Sequence, residues 1–159
     1  MKKILKFTAL SVVLLVLAGL MTSCDEKQSE CTPIAVHIET CFELLENFEP
    51  DGSASIIGKW KLKKGLEFFG GCLDYSQCNI VYEFRPDGTL IISGRSLHPE
   101  HRAGSNTFSV TIDETGMPLV RINNFERAFT FSRDILPMGF NVALDGPMYI
   151  FVRIVPNIN

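Results

Sequence analysis

Five cysteines carry most of the chemistry this sequence can offer: Cys24, Cys31, Cys41, Cys72 and Cys78. The last four have three possible uses. A zinc site or a redox dithiol calls for cysteines about two residues apart, and neither Cys31 with Cys41 nor Cys72 with Cys78 has that spacing. An even number of cysteines in an exported chain points instead to two disulfides. Four cysteines allow three pairings. Neighbour pairing, Cys31–Cys41 with Cys72–Cys78, closes the shortest loops and is the favoured expectation. The other polar candidates are weaker. His98, Glu100 and His101 cluster in the polar stretch from Gly94 to Ser105. Pro99 interrupts that cluster, and Arg95 and Arg102 would repel a cation, so a solvated loop is expected there. Glu83, Asp87 and Asp113 stand at no spacing that pairs a nucleophile with a base, and no Gly-x-Ser-x-Gly elbow exists. Asp87 belongs to a turn and Glu83 to the outer face of a strand. The chain is therefore read as no enzyme, with no catalytic residue, metal or cofactor.

The amino terminus gives an address. Lys2, Lys3 and Lys6 precede an apolar run from Leu10 to Leu20, the order of a secretory signal peptide, too short for a stable membrane span. Leu20-Met21-Thr22-Ser23-Cys24 resembles a bacterial lipobox, with Met21 where a leucine is usual. The resemblance implies cleavage after residue 23 and acylation of Cys24, by palmitate or a similar chain. Buried acyl chains contribute about 0.8 kcal/mol per methylene, enough together for a stable anchor. Asp25 to Glu30 has no apolar residue and reads as a charged tether. Acidic residues directly after a lipidated cysteine resemble the outer-membrane or surface-sorting signals of some Gram-negative bacteria. The expected location is the cell envelope, on the periplasmic or the outer face of the outer membrane. Removing residues 1–23, which carry three lysines and no acid, leaves 136 residues and takes the net charge from −3 to −6. A chain that acidic, with scattered lysines, argues against a nucleic-acid partner.

These residues need a scaffold, and the pattern that supplies it is period-two alternation. Ile56, Gly58, Trp60 and Leu62 fall on one face of an extended strand; Ile57, Lys59, Lys61 and Lys63 fall on the other. Before it, Ile34, Ile38, Cys41, Phe42, Leu45 and Phe48 recur at helical steps, so a short amphipathic helix is expected within residues 32–49. Lys64-Gly65 reads as a turn. Ile80, Tyr82 and Phe84 then alternate into Pro86-Asp87-Gly88, a hairpin turn, and Thr89 to Ser93 returns. Further strands are read at Thr107–Ile112, at Leu119–Ile122, around Phe129 and Phe131, at Phe140–Leu144 and from Met148 to Val155, with Leu136–Gly139 irregular between them. About eight strands with turns every 8–12 residues suit a barrel or a sandwich. The expected fold is all-β: a small up-and-down antiparallel barrel of about eight strands with a short N-terminal helix. The expected organisation is signal peptide at 1–23; lipidated cysteine, tether and helix at 24–53; and the barrel at 54–159.

Gly58-Lys59-Trp60 on a first strand, Tyr82 to Leu90 as a hairpin, and Arg153 on the last strand together resemble the bacterial lipocalin-like lipoproteins, over roughly residues 54 to 155. That resemblance implies that Arg153 packs over Trp60, closing one end of the barrel near Gly58. Such a cation–π pair contributes about 0.5–2 kcal/mol. The inward set then includes Tyr82, Phe84, Phe108, Phe129 and Phe131. These rings are the candidate lining of a ligand site, and equally the filling of a small barrel. Two functions follow. One is a membrane-anchored protein binding a small apolar or amphiphilic molecule without catalysis. The other is a filled barrel serving as a structural or interaction module for another envelope protein.

Overall fold

The computed structural model describes residues 31–46, 48–52, 55–67, 71–94, 101–139 and 146–155. Among the described residues ten strands follow one another: β1 (Ile34–Val36), β2 (Gly58–Leu66), β3 (Cys72–Asp74), β4 (Val81–Phe84), β5 (Thr89–Ser93), β6 (Gly104–Ile112), β7 (Pro118–Ile122), β8 (Phe125–Phe129), β9 (Ile135–Gly139) and β10 (Met148–Arg153). All pairings are antiparallel. From β4 to β10 each strand pairs with the next, and β2 closes the ring between β10 and β4. The result is the expected closed barrel of eight strands. Closure removes the unpaired edges that an open sheet would expose.

The long β2 makes this closure possible and also carries an extra ribbon. Its first half pairs with β4, Gly58 opposite Phe84 and Lys61 opposite Val81. Its second half pairs with β3, Lys64 opposite Asp74 and Leu66 opposite Cys72. β3 in turn pairs with β1. The barrel thus has a two-stranded flap along one end of β2. Trp60 and Leu62 of β2 are fully buried while Lys59 is exposed, as alternation requires.

Several local expectations are corrected. Lys64-Gly65 is not a turn; the strand runs through to Leu66. A Cβ on Gly65 would meet Tyr75 Cε2 at 2.9 Å and the Tyr149 ring at 3.1 Å. The glycine is there for close approach of two rings, a use of glycine within strands that sequence cannot distinguish from a turn. The helix expected within 32–49 is much shorter. Ile34-Ala35-Val36 is a strand, followed by one helical turn, α1 (Glu39–Phe42), and a 3-10 turn at Glu43–Leu45. Of its apolar stripe only Cys41 is buried; Ile38 and Phe42 are exposed. Leu136–Gly139 is not irregular but part of β9. Pro137 lacks an N–H, yet its carbonyl still accepts from Thr130 N at 3.2 Å. The polar stretch ends earlier than expected, because β6 begins at Gly104. The strand read at Phe140–Leu144 lies outside the described residues.

The disulfides differ from the favoured pairing: Cys31 bonds to Cys78 and Cys41 to Cys72. The reason is the flap. β1 lies on β3 with Val36 opposite Cys72, so the N-terminal segment is carried alongside residues 72–78. Loop-closure entropy rises only slowly with length, so strand pairing outweighs the advantage of short loops.

Candidate functional site

The two ends of the barrel are built differently. At one end lie Gly58, the Arg85–Gly88 turn and Arg153. At the other lie the ends of β5 and β2, the start of β6, the Asn123-Asn124 turn between β7 and β8, and the flap.

At the first end Arg153 lies over Trp60, its Cζ 4.0 Å from the ring centroid. Its nitrogens donate to three backbone carbonyls: Nε to Arg133 at 2.6 Å, Nη1 to Ile57 at 3.1 Å and Nη2 to Ser55 at 2.6 Å. Trp60 Nε1 donates to Ile56 O at 2.7 Å. Gly58 completes the arrangement. Its φ is +131°, and a Cβ there would stand 3.0 Å from Arg153 Nη1. Burial pulls the Arg153 pKa below its ordinary value, and Asp134 partly offsets this. Arginine stays charged regardless. This end is a plug: every polar atom named here is spent on the backbone.

At the second end an interior cavity of about 490 Å³ reaches the surface. Of its lining, Tyr82, Ile92, Arg127, Met138, Tyr149 and Phe151 are buried, Asn106 and Ile122 half-buried, and Arg102, Asn123 and Phe125 exposed. A polar cluster sits beside the apolar wall. His101, 1% exposed, shares a hydrogen bond of 2.9 Å between Nδ1 and Tyr82 Oη. Its ring meets Tyr149 edge to face at 4.4 Å and Tyr75 at 5.4 Å. Arg127 Cζ stands 5.4 Å from the Tyr149 centroid. An aromatic wall with a few convergent polar groups, at this volume, has the makings of a small-molecule pocket.

The candidate lining divides between the ends. Tyr82 lines the cavity. Phe84 is buried and packs edge to face on Phe108 at 5.0 Å. Phe129 and Phe131 stack at 5.6 Å with 18° between their planes. Phe108, Phe129 and Phe131 line a shallower hollow of about 400 Å³ on the plugged side, with Ile56, Ile57 and Val110. Of the histidine cluster, His98 and Glu100 lie outside the described residues, and His101 is in the barrel interior rather than in a solvated loop. Among the described residues no three His, Cys, Asp or Glu side chains are grouped to hold a metal ion. Cys24 and the signal segment lie outside the described residues.

Sequence reasoning placed His101 in a solvated loop and passed over Arg127, Tyr75 and Tyr149. Two of them carried a signal. Period-two alternation puts Arg127 on the face of Phe129, and Tyr149 on the face of Phe151 and Arg153. His101 and Tyr75 are placed by tertiary packing of connecting segments, which no local pattern marks.

The geometry defines a class: a closed eight-stranded antiparallel barrel, plugged at one end, with an aromatic cavity reaching the surface at the other. Comparison with family models, with curated proteins and with solved structures gives no match.

Proposed function

We propose that this protein is a lipid-anchored, non-catalytic binding protein of the cell envelope, similar to the lipocalin-like lipoproteins, that takes a small apolar or amphiphilic molecule into the barrel. The observation that carries this reading is the cavity of about 490 Å³ at the end opposite the Trp60–Arg153 plug. Its aromatic and aliphatic depth would supply binding at roughly 25 cal/mol per Å² of apolar area buried. The sequence at Cys24 supports the anchor. Cys31 is bonded to Cys78, so six residues, Asp25 to Glu30, separate the acylated cysteine from a fixed point of the fold. Fully extended, the seven steps from Cys24 to Cys31 reach about 25 Å. The barrel would therefore stay close to the bilayer, within reach of membrane-derived ligands.

Native and denaturing mass spectra of the mature protein test the carrier reading. An extra mass that leaves on denaturation supports it and reveals the cargo class. A bare mass, unchanged after incubation with lipids and apolar metabolites, moves the reading to a barrel that works through its surface. Val110 (45% exposed) and Ile112 (72% exposed), at the far end of the β6–β7 hairpin, favour that second reading. The anchor is tested separately. Cys24→Ser is expected to abolish incorporation of labelled palmitate and to release the protein from the membrane fraction; retention of both would sink the lipoprotein assignment.

A further inference from the structure

We propose that the flap seats on the lipid bilayer that holds the anchor, through Ile38 and Phe42 at its helical turn and Ile34 of β1, on a leaflet whose surface carries little charge. The inference rests on the anchored reading and goes beyond it, by assigning the face of the fold that meets lipid.

The flap is fixed well enough to present these side chains. β1 pairs with β3, Val36 opposite Cys72, and Cys41 is bonded to that same Cys72. Cys41 is fully buried, its Sγ 3.6 Å from Gly65 O of β2. Ile38, just before α1, also has helical backbone angles, and Cys41 N donates to its carbonyl at 3.0 Å. Residues four apart on a helical turn lie one above the other. Ile38 and Phe42 therefore share one side of the turn, next to Cys41, and the fold does not cover them. They are 39% and 44% exposed, and Ile34 is 59% exposed.

The anchor says what covers them. Apart from Phe125, the other large apolar side chains exposed among the described residues stand at the plugged end: Val110, Ile112, Ile154 and Val155. The tether leaves from the opposite side. Six residues join Cys24 to Cys31, Ile34 follows three residues later, and Cys31 is held to Cys78 just before β4. So short a tether, leaving from the flap, brings the flap to the bilayer first and turns the plug away.

Charge selects the surface. Between Asp25 and Glu46 the chain carries six acids and one lysine. Glu39 and Glu43 are exposed beside Ile38 and Phe42. Anionic leaflets attract basic segments and, through the same field, repel acidic ones. A zwitterionic head-group layer, entered by the apolar side chains alone, fits this pattern. A second copy fits less well, because a two-fold pair of flaps would set these acids against their own copies.

The test uses the acylated mature protein in phosphatidylcholine vesicles with and without bromine on the acyl chains. Trp60 is the only tryptophan and is fully buried, so it sets the baseline. Phe42→Trp adds an indole on the flap and Ile112→Trp one at the plugged end; both positions are exposed, so the fold is kept. The indole at position 42 is expected to lose about half of its emission to bromine, because interfacial apolar side chains enter about 5–10 Å into the head-group boundary. The one at position 112 should lose none. Phosphatidylglycerol in the vesicles should weaken the quenching at position 42. Acylated protein with no quenching at position 42, or with equal or greater quenching at position 112, overturns the proposal and leaves the anchor standing. So does emission at position 42 that shifts to the blue with protein concentration in detergent, the mark of a second copy. Quenching that phosphatidylglycerol leaves unchanged or raises overturns the preference for a surface of low charge. Mature protein with no acyl chain on Cys24 overturns anchor and seating together.

Discussion

The plugged end and the cavity end of this barrel solve the same problem, how to finish a small cylinder of strands, in opposite ways. At the plug, one arginine satisfies three backbone carbonyls and covers the only tryptophan. Its partners Ser55, Ile57 and Trp60 lie within six positions of one another. At the cavity end Tyr82 and His101 share a hydrogen bond beside an open cavity, and the flap along β2 is bonded through two disulfides. The plug is one long-range contact: a single side chain from the last strand closes on backbone carbonyls nearly a hundred residues earlier. The cavity end gathers side chains from several strands and stays open, and the flap beside it is fixed covalently as well as by strand pairing. The comparison teaches that one end is finished by a single arginine, whereas the other is left open with disulfides beside it.

If that division holds, removing a staple should do more damage than removing the plug. Cys41→Ala with Cys72→Ala opens a loop of 31 residues in sequence. The chain-entropy relation puts the loss at roughly 3–4 kcal/mol. The expected result is a lower urea midpoint in the double variant, together with weaker ligand binding, since the flap runs along β2 beside the cavity end. Unchanged binding would separate flap from cavity.

Arg153→Ala comes next, at about 2–3 kcal/mol, combining a lost cation–π contact with three carbonyls stripped of their donor. Trp60 is the only tryptophan, so its emission reports the site directly. Its spectrum and quenching should change while ligand affinity stays the same. Unaltered emission, quenching and melting temperature would mean that the stack contributes nothing.

This same contrast explains what could be read in advance. The closed barrel was legible because alternation of the kind seen in Trp60-Lys61-Leu62 repeats along the chain and turn residues punctuate it. The plug was legible because Gly58-Lys59-Trp60 is a contiguous motif. The cavity was only partly legible. Tyr82 was found from its strand, but Phe108, Phe129 and Phe131 belong to the hollow on the plugged side, because β6 and β8 run towards that end. A period of two gives the face of a sheet and not the height along a barrel. Pairing of cysteines failed for a related reason: strand pairing between β1 and β3 is a long-range fact with only three residues a side to announce it.

A smaller effect tests the polar cluster. Tyr82→Phe removes the hydroxyl bonded to His101 while keeping the ring, including its contact with Phe151 at 4.8 Å between centroids. The expected loss is about 1 kcal/mol, the usual net value of one hydrogen bond. A loss near zero in the melting curve would mean that the hydroxyl is placed for a ligand and not for the fold.

The smallest effect concerns the flap's ion pair. Lys64 Nζ donates to Asp74 Oδ2 at 2.9 Å, across the β2–β3 pairing, and Ser76 N donates to Asp74 Oδ1 at 2.8 Å. Burial opposes ionisation of Asp74, but the Ser76 N–H and the Lys64 ammonium outweigh it and hold the pKa below its ordinary 3.8. A carboxylate depressed in the folded state binds its proton more readily when unfolded. Its contribution is therefore complete above the unfolded pKa and is lost as pH falls through the lower, folded value. Asp74→Asn keeps an oxygen for Ser76 and removes only the charge. At neutral pH the variant should unfold about 0.2–1 kcal/mol more easily, the range of partly exposed ion pairs. As pH falls through the lowered folded-state value, where the wild-type carboxyl takes up its proton, the gap between the two should narrow towards zero. A gap that persists undiminished in acid would show that the charge of Asp74 contributes nothing and that the flap rests on its backbone pairing with β2 and on the disulfides.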